Sequence, residues 1–200
     1  MQFHLINRNT AVHSLVLALG LLSCTCWKEV SVARTRPTKT PIGVTYGVKR
    51  IADGDTITVV DGRGANTKVR FACIDAAEVP HTKQEKDSNN PVDLDQFKWG
   101  RLARNRLTDL IHQGGDRVSL TIVDTDRYGR AVAEVRLSNG TFVQEILARE
   151  GLAVVYTQYL KNCPNAALVE QAQVSAQQQK VGVWGDPQFV TPSLWRHKNK

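Results

Sequence analysis

Cysteine, long apolar runs and repetition are all scarce in this sequence of 200 residues. Only four cysteines are present, and their spacing matches no zinc-binding pattern. Neither an internal repeat nor a low-complexity block is visible, so the composition, with 42% hydrophobic residues, is that of a globular chain. The length suits one domain of ordinary size with flanking pieces.

The apolar run near the N-terminus, residues 11–22, is too short to span a bilayer comfortably, because a span takes about 20 apolar residues. Arg8 precedes it and small and polar residues follow it, as in a secretory signal peptide. Leu21-Leu22-Ser23-Cys24 also resembles a bacterial lipobox. We therefore expect residues 1–26 to be a signal peptide or a lipoprotein signal; a short buried helix is the alternative. The protein is then exported, and any membrane attachment is through a lipidated Cys24.

Basic residues are in excess, with a formal net charge of +7 and an isoelectric point near 9.4. This balance favours a polyanionic partner, such as nucleic acid, or an anionic surface. Of the cysteines outside the predicted signal, Cys73 lies in a predicted strand and Cys163 in a loop. They would be able to pair in an oxidising compartment if they were close, which the sequence alone does not show.

Residues 27–42 are basic and rich in Thr and Pro, which predicts a linker. One domain is predicted over residues 43–185, followed by a basic tail, 186–200, that we expect to be poorly ordered.

Short β-rich runs between turn residues predict strands over residues 46–51, 56–60, 67–74, 117–123 and 131–137. Apolar periodicity predicts helices over residues 95–113, 141–150 and 165–181. The polar stretch 81–91 is expected to be an exposed loop. Five strands with interspersed helices predict a small β-barrel packed with helices, α+β by content.

For two of the predicted helices the sequence also predicts the buried face or the N-terminal cap. The first places one buried stripe along its length, formed by Leu102, Ala103, Leu107, Leu110 and Ile111. In the second, Thr141 and Gln144 have the spacing of a capping box.

Acidic residues are concentrated at the ends of two predicted strands. Asp53-Gly54-Asp55-Thr56 leads into the second strand, and Asp75 and Glu78 follow the third. Each group alone is explained by a turn or a cap. Together, two strand ends meeting at one edge of a barrel would supply carboxylates and a backbone carbonyl to one hard cation, and calcium takes roughly 6 to 8 oxygen ligands.

Two arginines accompany these acids. Arg70 lies in an otherwise apolar strand, where burying an unpaired charge is costly, so it is either paired with Asp75 or Glu78 or used in function. Arg130 follows the turn 126–129 and is either a solvated turn residue or a functional one. Two guanidinium groups beside a cation match the negative charge that develops in a phosphodiester transition state.

In these motifs the sequence resembles the thermonuclease (staphylococcal nuclease-like) family over residues 43–185. The matching segments are Ile51-Ala52-Asp53-Gly54-Asp55-Thr56, Val69-Arg70-Phe71, Ile74-Asp75-Ala76-Ala77-Glu78, Asp126-Arg127-Tyr128-Gly129-Arg130, Glu150-Gly151-Leu152-Ala153 and Lys180-Val181-Gly182-Val183-Trp184. The resemblance implies a five-stranded OB-fold barrel packed with three α-helices. It also implies a calcium-dependent endonuclease that hydrolyses DNA and RNA with little regard for sequence and leaves 3′-phosphates. We expect it to act as a monomer.

The resemblance further implies roles for individual residues. Asp55, Asp75 and the backbone carbonyl of Ala76 correspond to calcium ligands. Glu78 corresponds to the acid that positions or deprotonates the attacking water.

The remaining implied roles concern the substrate. Arg70 and Arg130 correspond to arginines that stabilise the transition state. The positions expected to bind nucleotide are Arg127, Tyr128, Tyr156 and Tyr159, and tyrosines suit a nonspecific enzyme because every base has a face on which a ring stacks.

The sequence departs from the family pattern in two places. Ala76-Ala77 stands where the family usually has Thr-Pro or Ala-Pro, and the missing proline leaves φ of residue 77 less restricted, which loosens Glu78. The loop over residues 78–99 is longer than in the type member, which affects the access of substrate. A non-catalytic OB-fold module that binds nucleic acid is the main alternative, although such modules typically lack the acids or arginines that are present here. A cell-surface lipoprotein that acts mainly in adhesion is a further alternative.

Overall fold

The computed structural model describes residues 44–199. The signal segment and the linker predicted for residues 1–42 lie outside this range. Within the described range, none of the helices has the length and apolar character needed to cross a bilayer.

Seven strands are present in the described residues, and five of them close into a barrel. Their bounds are β1 Thr45–Ile51, β2 Thr56–Val60, β3 Asn66–Phe71, β4 Ile74–Ala76, β5 Arg117–Thr125, β6 Ala131–Leu137 and β7 Ala153–Val155. The barrel has the strand order β1-β2-β3-β6-β5, and its pairs are antiparallel except for β3 with β6. The predicted five-stranded barrel is therefore confirmed.

Alternation of side chains along the strands explains why the barrel closes around an apolar core. In β2, Ile57 and Val59 are fully buried, whereas the neighbouring threonines are partly exposed. Successive side chains of a strand point to opposite faces, so this pattern directs every second residue inward. Val69 and Phe71 of β3 continue the core.

The single strand predicted over residues 67–74 is wrong, because the chain leaves the barrel after Phe71. Cys73 has φ of 72°, in the left-handed region that L-residues seldom adopt, and this backbone turn ends β3. The following β4 pairs antiparallel with β7 in a separate two-stranded sheet. Asp75 therefore belongs to this small sheet and not to the barrel.

Over residues 44–199 five α-helices accompany the strands, with bounds α1 Lys83–Lys86, α2 Pro91–Gln113, α3 Val143–Arg149, α4 Ala166–Gln179 and α5 Pro192–Lys198. The three predicted helices correspond to α2, α3 and α4. Helix α2 begins four residues earlier than predicted, because the side chain of Asn90 accepts the N–H of Val92 and Pro91 occupies the first helical position. On the predicted stripe, Leu102 is 44% exposed and faces outward, while the other four residues are buried.

Two expectations about local structure were also wrong. Residues 81–91 are not wholly loop, because Thr82 and Glu85 form a capping box at the start of the exposed helix α1. The capping box predicted from Thr141 and Gln144 is absent. Gln144 is instead buried, where its side chain accepts the N–H of Val135 at 3.1 Å and donates to the carbonyl of Ala133 at 3.0 Å, so that it joins α3 to β6.

The C-terminal tail, expected to be poorly ordered, contains helix α5. Trp195 of this helix is buried, and its indole N–H donates to Asp93 of α2 at 2.9 Å. Its ring packs edge-on against Phe97 with the centroids 5.7 Å apart. The tail is ordered because a large aromatic side chain anchors it to α2.

Candidate active site

The end of the barrel where β2 begins and β3 ends opens into a cleft of about 1010 Å³. Eight of the ten predicted site residues line it: Asp55, Arg70, Glu78, Arg127, Tyr128, Arg130, Tyr156 and Tyr159. The other two, Asp75 and Ala76 of β4, do not line the cleft and are buried directly beside it.

Strand pairing brings these distant segments together. Thr56 pairs with Arg70, and the N–H of Phe71 donates to the carbonyl of Asp55 at 2.8 Å, so the acid before β2 lies beside the arginine near the end of β3. Val69 pairs with Ala131 at the start of β6, which brings the preceding Arg130 to the same rim. The register of three strands thus assembles this part of the cleft.

Arg70, whose side chain is 13% exposed, is the centre of an ionic network. Its guanidinium forms ion pairs with Asp55 and with Asp75, the latter at 2.6 Å from Nη2 to Oδ1. The backbone N–H of Ala76 donates to Oδ2 of Asp55 at 2.6 Å, which connects β4 to the acid before β2. Of the two ion-pair partners expected for Arg70, Asp75 is found and Glu78 is not.

Arg196 of the C-terminal helix α5 also enters this network, although no motif in the sequence had marked it as a site residue. Nη2 of Arg196 donates to Oδ2 of Asp75 at 2.8 Å, and Nη1 donates to Oε1 of Glu78 at 2.7 Å. Asp75, only 1% exposed, therefore has one carboxylate oxygen bonded to Arg70 and the other to Arg196.

Burial changes the acidity of two carboxyl groups in the cleft. Desolvation raises the pKa of Asp55 to about 7; the guanidinium of Arg70 opposes this shift, and the neighbouring Asp53 and Asp75 add to it. Desolvation also raises the pKa of Glu78, with a further contribution from Asp55 and an opposing one from Arg196. A carboxyl group whose pKa is raised is a better proton acceptor once it is ionised, which is the property required of a general base.

The donor set at this rim fits a hard divalent cation. Its acids are Asp53, Asp55, Asp75 and Glu78, and with the guanidinium groups of Arg70 and Arg196 they leave an excess of two negative charges when all four carboxyl groups are ionised. Ligand atoms of Asp53, Glu78 and His81 lie within 4.8 Å of one another. Carboxylate oxygens in excess over positive charge are what Ca²⁺ prefers.

This arrangement adds two residues, Asp53 and His81, to those that could hold a metal ion. Asp53 was visible in the Asp-Gly-Asp motif, and its Oδ1 accepts the N–H of Asp55 at 2.9 Å. His81 is exposed and lies in the segment predicted to be loop, where nothing in the sequence distinguished it.

A tight turn holds Arg130 in the lining of the cleft. Oδ1 of Asp126 accepts the backbone N–H groups of Tyr128 and Arg130, both at 2.9 Å, and Oδ2 accepts Nε of Arg130 at 2.7 Å. Gly129 supplies the positive φ of 76° that the turn requires. Across residues 44–199 the two Nη groups of Arg130 have no hydrogen-bonded acceptor, so they are available to an anion.

Aromatic rings complete the walls. Tyr128 is 69% exposed, and the guanidinium of Arg127 lies 4.8 Å from its ring centroid. Tyr156 and Tyr159 also line the cleft, and their ring centroids lie 5.2 Å apart. Such rings offer faces to nucleotide bases.

The chain that carries Tyr156 and Tyr159 is joined covalently to the site. Cys73 and Cys163, whose pairing the sequence left open, form a disulfide with their Cα atoms 5.6 Å apart. Cys163 directly follows the 3-10 helix Thr157–Asn162, and both cysteines line the cleft. The disulfide therefore fastens the tyrosine segment to the chain between Arg70 and Asp75.

Helix α2 packs directly against the backbone of Ala77 and Glu78. A Cβ on Gly100 would lie 1.9 Å from the carbonyl oxygen of Glu78 and 2.8 Å from that of Ala77, so only glycine allows this approach. With its amide oriented to satisfy both neighbours, the buried Gln96 accepts the N–H of Glu78 at 3.2 Å and donates to the carbonyl of Val190 at 3.1 Å.

A closed five-stranded barrel packed with helices is consistent with an OB-fold of the staphylococcal nuclease type. Residues 68–186 match the family model described as staphylococcal nuclease homologue, and the chain belongs to that family.

Named relatives agree with this assignment. The chain is 34% identical over 151 residues to an uncharacterized endonuclease of Escherichia coli O157:H7, covering 76% of this chain and 84% of the relative. It is 33% identical over 161 residues to a micrococcal nuclease of Shigella flexneri, covering 76% and 80%. It is also 33% identical over 142 residues to a thermonuclease of Staphylococcus intermedius, covering 71% and 77%.

Proposed function

We propose that this protein is a calcium-dependent endonuclease that hydrolyses phosphodiester bonds of DNA and RNA and leaves 3′-phosphate products. The observation that carries the proposal is the convergence of Asp55, Arg70, Glu78 and Arg130 on one cleft, with Asp75 buried beside them. Relatives named nucleases support the reaction class.

Each side chain has a chemical task in this reaction. Glu78 accepts the proton of the attacking water, since its raised pKa suits a general base. Arg130 binds the equatorial phosphoryl oxygens with its available Nη groups, and Arg70 adds positive charge from the floor of the cleft. Calcium, held by Asp53, Asp55, Asp75 and the carbonyl of Ala76, would neutralise charge that develops on the phosphate.

Weak sequence preference is expected from the same lining. Arginines recognise phosphate, which every nucleotide carries, and phosphate contacts hold no sequence information. Tyr128, Tyr156 and Tyr159 offer ring faces on which any base stacks.

The proposal is tested with purified protein, supercoiled plasmid and single-stranded RNA in a calcium titration. We expect cleavage of both substrates with calcium and none after chelation with EGTA. The product ends should resist extension by a polymerase until a phosphatase has removed the 3′-phosphate. Glu78→Gln serves as the matched inactive control. Metal-independent cleavage, or ends that are extended directly, would contradict the proposal.

One observation favours the alternative of a non-catalytic binding module. Arg196 occupies both Asp75 and Glu78, two groups that the reaction requires. A module of this kind would retain plasmid in a mobility-shift assay without cutting it at any calcium concentration. The same titration therefore separates the two functions.

We also propose that the protein is exported. The disulfide between Cys73 and Cys163 supports this, because disulfides persist mainly in oxidising compartments. Lipidation of Cys24 would be detected by incorporation of a labelled fatty acid, and loss of the label in Cys24→Ala would locate it.

A further inference from the structure

Arg196 contacts two carboxylates that have different roles in the proposed reaction. It donates to Asp75, a predicted metal ligand, and to Glu78, the predicted base, with distances of 2.8 and 2.7 Å. Arg196 is 121 residues from Asp75 and 118 from Glu78 in the sequence, so the contact is made by tertiary structure alone.

Hydrogen bonds at three residues before Arg196 hold its segment against α2. Trp195, the preceding residue, is buried and donates to Asp93. The carbonyl of Val190 accepts from the buried Gln96, whose amide also contacts Glu78. Asp186 accepts from Lys98 and Trp99 of α2. Helix α5 is therefore docked on α2 independently of the ion pairs of Arg196. Its packing positions the guanidinium of Arg196 beside Asp75 and Glu78.

Within the described residues, both carboxylate oxygens of Asp75 accept a hydrogen bond from an arginine. Arg70 bonds one oxygen and Arg196 the other, and the side chain is 1% exposed. Arg196 itself is about a third exposed at the cleft, so its side chain is able to swing outward while Trp195 stays anchored. The positive charge of Arg196 and a divalent cation at the same carboxylates repel each other, because like charges at short range in a partly buried site interact strongly.

We propose that Arg196 is an internal counter-cation, which holds Asp75 and Glu78 in the metal-free protein and which a divalent cation must displace before the site can act. This inference rests on the proposed calcium dependence and adds regulation of that site by the C-terminal helix. The cation and the guanidinium of Arg196 then compete for the same carboxylates. The apparent affinity for the metal is lowered by the free energy needed to displace Arg196.

The test measures calcium binding directly. Isothermal titration of the chelator-treated protein with CaCl₂ compares wild type, Arg196→Gln and Lys198→Gln, the last being a matched loss of charge from an exposed position of the same helix that does not line the cleft. We expect Arg196→Gln to bind calcium about tenfold more tightly than wild type, or more, because the competing charge is removed. Lys198→Gln should bind like wild type.

Thermal unfolding of the same proteins gives a second measurement that does not involve activity. Removal of Arg196 leaves Asp75 with one partner, so the metal-free variant should melt at a lower temperature than wild type. Calcium should raise its melting temperature more than it raises that of wild type or Lys198→Gln, because stabilisation grows with ligand affinity.

Equal or weaker calcium binding by Arg196→Gln would overturn the inference. If wild type in that case still bound calcium and cut plasmid, the proposed function would stand and the competition alone would fail. If no variant bound calcium and none cut, both would fall.

Discussion

Cys73 and Cys163 form a disulfide that closes 90 residues of chain and lies in the wall of the cleft. The bond connects the end of the barrel strand β3 to the segment that carries Tyr156 and Tyr159. The same bond therefore crosslinks the fold and holds the tyrosine segment in the wall of the cleft.

Replacement of both cysteines, Cys73→Ala with Cys163→Ala, should lower the free energy of unfolding by about 2 to 4 kcal/mol, because the unfolded chain regains the freedom that the crosslink removes. Urea denaturation measures the loss. Wild-type protein in dithiothreitol is the matched comparison and should unfold at a similar urea concentration to the double variant. A wild type that is indifferent to reductant would show that the bond contributes little.

Gly100 of α2 lies directly under the backbone of Glu78. Alanine at an ordinary helix position stabilises by about 1 kcal/mol relative to glycine. Here Gly100→Ala should instead destabilise by about 1 to 3 kcal/mol, since its Cβ would collide with the carbonyl of Glu78. It should also slow hydrolysis by displacing that residue. Gly62→Ala, where a Cβ would have no neighbour within 4 Å, is the control and should change neither property. An active and stabilised Gly100→Ala would refute the proposed support of Glu78.

Arg130→Ala should lower turnover on plasmid by on the order of 10²-fold or more, because one preorganised donor to a developing charge has about that effect. Arg130→Lys should recover little, since an ammonium group lacks the fork that binds two phosphoryl oxygens. Arg101→Ala removes an exposed arginine of α2 outside the cleft and should cut like wild type. A near-normal rate in Arg130→Ala would exclude the residue from the mechanism.

The pKa of Asp186 is held below its ordinary value by hydrogen bonds from Lys98, from the backbone of Gln188 and from the indole of Trp99. A carboxyl group with a depressed folded-state pKa stabilises the fold above its unfolded pKa and loses that contribution as pH falls through the folded value. Asp186→Asn should therefore unfold about 1 kcal/mol more easily at pH 7.

The difference between Asp186→Asn and wild type should shrink as pH is lowered below about 4, because the Asp186 carboxylate of the unfolded chain is protonated there while the folded protein still holds it ionised. Chemical denaturation at a series of pH values measures it. A gap that stays constant down to the lowest pH at which the protein folds would argue against an ionic origin of the effect.

The barrel and most of the candidate site could be predicted because they are encoded locally. Alternating residues specify strands, and Asp126-Arg127-Tyr128-Gly129-Arg130 specifies its own turn through hydrogen bonds that span four residues. The acids before β2 and after β3 were identified for the same reason. The edge of the helix stripe was less predictable, as Leu102 shows, because packing of the helix against its neighbours decides it. The start of α2 was missed although its signals, Asn90 and Pro91, are local.

The sequence by itself thus determined a five-stranded barrel and an acid-and-arginine rim, since short-range patterns and strand register are sufficient to place those groups. Only the tertiary structure decided that the chain leaves the barrel at Cys73, that this cysteine meets Cys163, and that Arg196 contacts Asp75. These contacts join segments separated by 90 and 121 residues. The contact of Arg196 with Asp75 depends on where Trp195 packs on α2, which is a property of the assembled core and leaves no local pattern in the chain.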